Sequence, residues 1–277
     1  MTATVICHFW NNAWILSHWL RHHRRLFSHG ILIDHGSTDG SCDVIRELTP
    51  AWEIRPTRRC RDAFRSVDAD IEVMDVEQAL RGWKMVLNVT EFLVLADLEG
   101  YIAGLPRGVR GVTTSGVVLV DSPATRSLPV ADEPLVVQRT HGYFEYELGK
   151  KPRDYGFPAV WRSRLLHDYP TGRYEVGRHV CGVDHVYDPR LFLAWAGWSP
   201  FERLKAMKMS VQQRIPPEDF DSGLALQHRL ESESDLEERL AVEQARSHDL
   251  LSDPRYARAV AAIRDVERRG EVRRPPP

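Results

Sequence analysis

Two short stretches carry side chains of the types that bind anions or metal ions. The first is Gly30–Ser41, GILIDHGSTDGS. Ile31, Leu32 and Ile33 form an apolar, largely β-branched run that reads as a buried strand, and Asp34 stands where that strand ends. Gly36 to Gly40 then supply a tight polar turn, and Cys42–Leu48 reads as the following helix, with Asp39 or Ser41 as its N-cap. An acidic residue at the carboxyl end of a buried strand, before a small-residue turn, is where open α/β sheets bind ligands. Helix capping alone explains the same residues. The second stretch is Met85–Val94, MVLNVTEFLV. Met85, Val86 and Leu87 predict a central strand, Asn88, Thr90 and Glu91 stand at its end, and Phe92–Leu95 resumes the apolar run. A polar cluster there serves either a ligand or a turn.

Other candidates weigh toward a plain structural role. His18 and His22 lie four apart on one helix face, a spacing that chelates a metal, but no glutamate follows the first histidine as a metalloprotease helix requires. Arg58, Arg59, Arg61 and Arg65 crowd one segment. One or two of them have the chemistry to hold a diphosphate, whereas a solvated charge run is the simpler reading. There is no GxGxxG and no GxxxxGK[ST], which counts against the common dinucleotide and P-loop readings.

The elements that must position these residues follow from periodicity. Thr4–Trp10 reads as a first strand. From Ala13 to Phe27, Ile15, Trp19 and Leu26 align at helical spacing beside Leu16, Leu20 and Phe27. The chain therefore opens β-α-β-α, the pattern of a parallel sheet covered by helices. Trp52–Pro56 predicts a third strand, Val67–Arg81 a helix and Val109–Val120 another strand. His141–Pro158 mixes aromatics, glycines and charges as a long irregular loop of the kind that carries function. Trp161–Leu166 and Tyr174–Cys181 read as short extended pieces. After Pro200 the chain becomes helical and charged, with a helix at Phe201–Val211, a break at Ile215–Asp219 and a stripe of Tyr256, Val260, Ile263 and Val266. The tail from Arg273 reads as disordered.

Composition excludes whole classes. Among 277 residues, 37 Lys and Arg face 39 Asp and Glu for a net charge of −2, so no electrostatic footprint for nucleic acid or anionic membrane is expected. No segment approaches the roughly 20 apolar residues of a membrane span. No signal peptide is evident ahead of the first strand, and the four cysteines form no CxxC pair; a cytoplasmic protein with reduced thiols is expected.

The strand–Asp–small-turn sequence IDHGSTDGS resembles the nucleotide-binding turn of family 2 glycosyltransferases with the GT-A fold. CHFWNNAWILSHWLRHH is similar to the strand, Asn-bearing turn and helix with which that family opens. Asn88-Val89-Thr90-Glu91-Phe92 stands where the family carries D-x-D-E-F. The likeness covers residues 4 to 95 well and continues loosely through Gly177–His179 and the SPFERLKAMK segment. It implies an α/β fold of GT-A type, a mostly parallel sheet flanked by helices. Residues 1–200 would form the transferase-like domain, with a nucleotide-sugar half over about 1–100 and an acceptor half over about 101–200. Residues 201–277 would form a C-terminal helical extension. Carried over, Asp34, Ser37 and Asp39 would shape the nucleotide pocket, with Asp75 a further candidate. Asn88, Thr90 and Glu91, with His179, would hold Mg2+ or Mn2+ against the donor diphosphate.

This sequence departs from the family at the metal motif. Hard carboxylate oxygens suit a divalent cation, yet Asn88 and Thr90 replace both aspartates and only Glu91 keeps a charge. Three outcomes stay open: weaker metal binding through Glu91, diphosphate stabilisation by basic side chains, or binding without catalysis. The implied reaction moves a sugar from a UDP- or GDP-type nucleotide sugar to a hydroxyl acceptor with inversion, a carboxylate taking the acceptor's proton. Asp154, Glu145 and Glu147 are the candidates for that base. Tyr143, Tyr155 and Trp161 have the shape to stack on a sugar ring or to fill a core. The competing class is a non-catalytic GT-A-like nucleotide- or glycan-binding protein.

Overall fold

The chain opens with β1 (Ala3–Phe9), α1 (Ala13–His23), β2 (His29–Asp34), α2 (Ser41–Leu48) and β3 (Glu53–Pro56), the β-α-β-α order that the periodicity predicts. The computed structural model describes residues 2–122, 128–130, 132–148, 162–221 and 232–269. The tail from Arg273 lies outside them. There follow α3 (Ser66–Gln78), β4 (Trp83–Val86), β5 (Glu91–Val94), α4 (Leu98–Ala103), β6 (Gly111–Val120), α5 (Leu135–Gln138), β7 (His141–Phe144), β8 (Leu165–His167) and β9 (Val186–Trp198). The C-terminal part adds α6 (Phe201–Gln212), α7 (Pro217–Asp221), α8 (Glu233–Ala245), β10 (His248–Asp249) and α9 (Pro254–Arg268).

β3, β2, β1 and β4 are adjacent and parallel. The chain runs outward from β1 to β3 and then crosses back to lay β4 on the other side of β1. The carboxyl ends of β1 and β4 therefore flank the point where strand order reverses, which in such sheets is open to a ligand. β8 pairs antiparallel with β4 and with the start of β6; β7 pairs antiparallel with the end of β6, and β9 runs parallel to β6 along its length. The α/β class with a parallel central sheet flanked by helices is thus present, extended by antiparallel strands.

The predicted apolar faces pack as their spacing requires. Ile15, Leu16, Trp19 and Leu20 of α1 are buried against the sheet, and Tyr256, Val260 and Ile263 of α9 join the same core. The residues after 201 are helical, and they also complete the sheet, because β10 pairs with β7. β9 has no counterpart in the periodicity: Asp188-Pro189-Arg190 interrupts it, and its buried half alternates with nothing polar. No described helix is long and apolar enough to cross a membrane.

The histidines of α1 are structural. His22 Nε2 donates to the Leu93 carbonyl at 2.8 Å, His23 Nδ1 donates to the Trp19 carbonyl at 2.9 Å, and His23 Nε2 accepts from the Leu93 amide at 3.3 Å. Burial holds His22 neutral, its pKa lowered to about 3. His18 is buried edge-on against Trp14.

One carboxylate anchors the C-terminal helices over the sheet. Asp121, just past β6, accepts from Ser199 Oγ at 2.5 Å and from the Phe201 amide at 2.7 Å, with Arg139 at 3.7 Å. Its carbonyl accepts from Gln244 of α8 at 2.7 Å. Asp121→Ala is expected to lower folding stability by about 3 kcal/mol, since it removes the acceptor of Ser199 Oγ and of the Phe201 amide at the start of α6 and the carboxylate beside Arg139. Urea denaturation measures this, and a loss below about 1 kcal/mol would contradict the anchoring role.

Candidate functional site

A cavity of about 1040 Å³ opens where the sheet's strand order reverses, walled by residues from the ends of β1, β2 and β4, the 177–179 loop, α6 and α8. From β1 come His8, Phe9 and Trp10; from β2 comes His35; from β4 come Asn88 and Thr90. Each follows from strand geometry: the last residues of parallel strands leave the sheet on the same edge.

The side chains of the Gly30–Ser41 turn bond to one another and to the β1–α1 connection. Gly36 and Gly40 take φ of +85° and +84°, backbone that side chains rarely adopt, and so fold the chain back toward the β1–α1 connection. Asp34 Oδ1 accepts from the Ser37 amide at 2.9 Å and Asp34 Oδ2 accepts from Cys42 Sγ at 3.6 Å. Burial, then the charge of Asp34, pushes the Cys42 thiol up to about 11. Ser37 Oγ accepts from the Asn11 amide at 3.0 Å. Asp39 accepts from the Ala13 amide at 2.9 Å and from Ser41 Oγ at 2.5 Å. Asp34, Ser37 and Asp39 therefore clamp two connections together, and none of the three lines the cavity. The residue of this stretch that does is His35. Asp75 is likewise elsewhere, paired with Arg59 at 2.9 Å on an exposed face.

His35 is 2% exposed, and both its ring nitrogens are buried without a hydrogen-bond partner. Burial lowers its pKa to about 4. It meets His8 edge-on and Phe64 at a tilt, each with ring centroids within 5.8 Å, while His8 stacks on Phe64. Arg214 lies over the Trp10 ring at 4.6 Å and donates to the His35 carbonyl at 2.9 Å.

Next to this aromatic wall sits Arg178, in left-handed backbone with φ of +60°. Its guanidinium pairs with Asp70 and donates to Asn88 Oδ1 at 2.6 Å and to His8 Nε2 at 2.9 Å. Gly177 donates its amide to Asp70 at 2.7 Å, which fixes the loop on α3. A strained non-glycine residue held in place by so many partners is a feature of functional sites. His8, accepting from Arg178, is held neutral by burial and by that neighbouring charge.

Glu91 is fully engaged. Arg164 Nε donates to Glu91 Oε2 at 2.8 Å and Arg164 Nη2 to Oε1 at 2.6 Å, both side chains being almost completely buried. The Asn88 amide adds a bond at 2.8 Å and Asn88 Nδ2 another at 3.3 Å. Arg164 Nη1 also donates to the Gly177 carbonyl at 2.7 Å and to His179 Nδ1 at 3.1 Å. The same Nδ1 stands 3.3 Å from the Ser163 carbonyl, a contact that calls for the opposite tautomer. Burial and then Arg164 hold the His179 ring neutral.

These residues do not fit the Mg2+ or Mn2+ that the GT-A likeness implies. Asn88, Thr90 and His179 line the cavity, but the one carboxylate of the set, Glu91, is bonded on both oxygens, and the guanidinium groups of Arg162, Arg164 and Arg178 stand around His179. Among the described residues no group of three or more His, Cys, Asp or Glu side chains is arranged to hold a metal ion.

Of the base candidates, Glu145 is buried and accepts from the Arg162 amide at 2.8 Å, with the Arg162 guanidinium at 3.5 Å. Glu147 accepts from the Phe144 amide at 3.1 Å and does not line the cavity. Asp154, Tyr155 and Trp161 lie outside the described residues. Tyr143 fills a small core with Trp198 and Phe201 and donates to Glu243 at 2.7 Å. Arg58, Arg59, Arg61 and Arg65 do not line the cavity; Arg65, for example, pairs with Glu218 and Asp219 of α7.

The cations that do line it are Arg162, Arg178, Lys208, Arg214 and Arg239. Reading the sequence picked out none of them. Two lay within stretches that bear the family likeness, Arg178 in GRH and Lys208 in SPFERLKAMK, but nothing local separates them from solvated charges.

No family model matches the chain, and no curated protein matches it in sequence. Solved structures to which it is similar include mannosyl-3-phosphoglycerate synthase from Rubrobacter xylanophilus, at 13% identity and a TM-score of 0.40, covering 100% of this chain and 77% of that one. Glucosyl-3-phosphoglycerate synthase from Mycobacterium tuberculosis, in complex with Mn2+, uridine-diphosphate-glucose and phosphoglyceric acid, is similar at 14% identity and a TM-score of 0.33, covering 78% and 80%. CTP:phosphocholine cytidylyltransferase from Streptococcus pneumoniae is similar at 10% identity and a TM-score of 0.28, covering 45% of this chain. The chain spans 62% of that cytidylyltransferase's length.

Two outcomes test the site's construction. Glu91→Ala is expected to cost about 3–5 kcal/mol, because it leaves Arg164 buried and unpaired, and Glu91→Gln with Arg164→Met recovers much of that loss. Additive single-variant losses in denaturant melts would show that the two side chains act separately. The His35 pKa falls from the ordinary 6.5 to about 4 on folding. The unfolded chain therefore binds that proton first, so the stability His35 contributes is full above the unfolded value and is lost as pH falls toward the folded one. His35→Gln should flatten the fall in stability between those two values, and an unchanged slope would mean His35 is not held neutral.

Proposed function

We propose that the protein is a glycosyltransferase that moves a sugar from a nucleotide diphosphate sugar to a hydroxyl acceptor, with inversion. The observation that carries this reading is the cavity itself. It lies at the carboxyl ends of β1, β2 and β4, with an aromatic wall of His8, His35 and Phe64, and Arg162, Arg178, Lys208, Arg214 and Arg239 among the rest of its lining. Rings and unpaired imidazole nitrogens suit a nucleobase, and guanidinium and ammonium groups suit phosphates. The volume is at the upper end of small-molecule sites, room for a base, a diphosphate and a sugar together.

In this reading the base, UDP- or GDP-type, packs on His8 and Phe64 with His35 facing its edge. The diphosphate lies toward Asn88, Thr90 and the cations. As the sugar's anomeric bond breaks, negative charge grows on the departing diphosphate, and the cations offset it. The acceptor hydroxyl attacks from the opposite face and gives its proton to a carboxylate, for which Asp154 is the proposed base. Arg162, eight positions later in the sequence, lines the cavity.

A second reading, a non-catalytic GT-A-like nucleotide- or glycan-binding protein, draws on the carboxylates. Glu145 and Glu91 are both held by arginines, which leaves neither to take a proton. Turnover separates the two. Incubation with a panel of UDP- and GDP-sugars is expected to release nucleotide diphosphate from at least one donor, and Asp154→Asn should lower kcat by roughly a hundredfold with donor affinity unchanged. Binding with no release across the panel supports the second reading. No binding of any nucleotide sinks both.

A further inference from the structure

The cavity's side facing α6 and α8 gathers three cations, of which only Arg162 has a carboxylate partner, Glu145. Arg162 lies over the Trp195 ring at 3.2 Å, and Lys208 Nζ stands 5.1 Å from the same ring and 4.7 Å from that of Trp198. Arg239 of α8 lines the same side. Among the described residues, no carboxylate lies within ion-pair distance of Lys208 or Arg239, whereas Arg162 Nε, buried and without a hydrogen bond, stands 3.5 Å from Glu145.

Two of the acids that line this side are committed elsewhere. Glu243 accepts from Tyr143 and pairs with Arg246, and Asp235 closes the capping box at the start of α8. Glu238, also on α8, is exposed at the rim. Burial and the two arginines push the Lys208 ammonium down to about 8, the mark of like charges brought together. Trp195 and Trp198 shield Arg162 and Lys208 from water on one side, while Arg239 is exposed, so an anion bound at the first two would be attracted more strongly than at an open surface.

Glu91, meanwhile, is withdrawn into its pair with Arg164, and the cavity offers no free carboxylate for a cation among Asn88, Thr90 and His179. His35 also lines the cavity, and both its ring nitrogens are buried without a hydrogen-bond partner.

We infer that Arg162, Lys208 and Arg239 bind the diphosphate of the donor nucleotide directly, in place of a divalent cation. The inference rests on the nucleotide-sugar reading above. Two guanidinium groups and an ammonium supply charge-assisted hydrogen bonds to several phosphate oxygens at once, and with Glu145 paired to Arg162 their net charge equals that of one divalent ion, spread over three groups.

The test is calorimetric titration of the full chain with UDP and with GDP, in excess EDTA and again in MnCl2. The expected result is binding of at least one of them whose affinity in EDTA is within about twofold of that in Mn2+, falling as salt is raised. Lys208→Met and Arg162→Met should each weaken the diphosphate by about tenfold or more, and Lys208→Arg should restore most of it. Binding of uridine or guanosine, followed by saturation-transfer NMR, should change less than about twofold, so general damage to the cavity is told apart from loss of a phosphate contact. An affinity about tenfold or more lower in EDTA, or equal weakening of nucleoside and diphosphate in both Met variants, would overturn the inference and leave the nucleotide reading standing. No binding of either nucleotide in either condition overturns the nucleotide reading, and the inference with it.

Discussion

The buried pair of Glu91 and Arg164 ties together nearly everything that surrounds the cavity. Glu91 begins β5 and bonds back to Asn88, so it sets the shape of the connection that leaves β4. Arg164 precedes β8, takes its backbone partner from Thr114 of β6 at 2.9 Å, and reaches the Gly177 carbonyl and His179. A single guanidinium thus joins two strand connections, a central strand and the loop that carries Arg178. Desolvating two charges is costly, and that cost is offset only when every lone pair and proton is used. Here the geometry uses them: the guanidinium makes four side-chain or carbonyl contacts, and both carboxylate oxygens accept two bonds each.

The same pair decides the electrostatic character of the site. A carboxylate free at this position would give the cavity a negative focus. With Glu91 bonded to Arg164, and Asp70 bonded to Arg178, the acids at the sheet's edge are cancelled locally. The remaining cations on α6 and α8 then set the field, although the whole molecule is close to neutral. Net charge says nothing about such a focus, because a cleft with low-dielectric walls concentrates the field of a few side chains.

How much of this was legible in the sequence depends on the range of each interaction. The β-α-β-α opening, the buried faces of α1 and α9 and the helical C-terminal part follow from periodicity, which is local. Gly30–Ser41 was legible as a strand, turn and helix, but the roles of Asp34, Ser37 and Asp39 were not. Their partners Asn11 and Ala13 lie more than twenty residues away, and capping and ligand binding call for the same short polar side chains. His35, adjacent to Asp34, is the residue that meets the cavity, and strand alternation by itself did not single it out. Glu91 was visible as the sole charge in its motif. That Arg164, 73 positions later, would claim it was not. Lys208 and Arg162 are ordinary basic residues until Trp195 and the fold bring them to one wall.

The placement of the cations has a consequence for how the site is assembled. A divalent ion held by carboxylates depends on one strand connection and brings its charge from solution. Guanidinium and ammonium groups must instead be delivered by the chain, from α6, α8 and the residue before the β8 lead-in. Asp121 is what secures α6 and α8 to the end of β6, through Ser199, the Phe201 amide and Gln244. The C-terminal helices are therefore part of the site's electrostatics, and their anchoring at β6 belongs to the same design as the Glu91–Arg164 pair. One buried carboxylate is removed from the cavity by an arginine, and another carries the replacement charge into position. On this arrangement the polar geometry of the β4–β5 connection, Asn88 and Thr90 in place of acids, is consistent with its surroundings, since uncharged oxygens and amides beside arginines need no counter-ion to be satisfied.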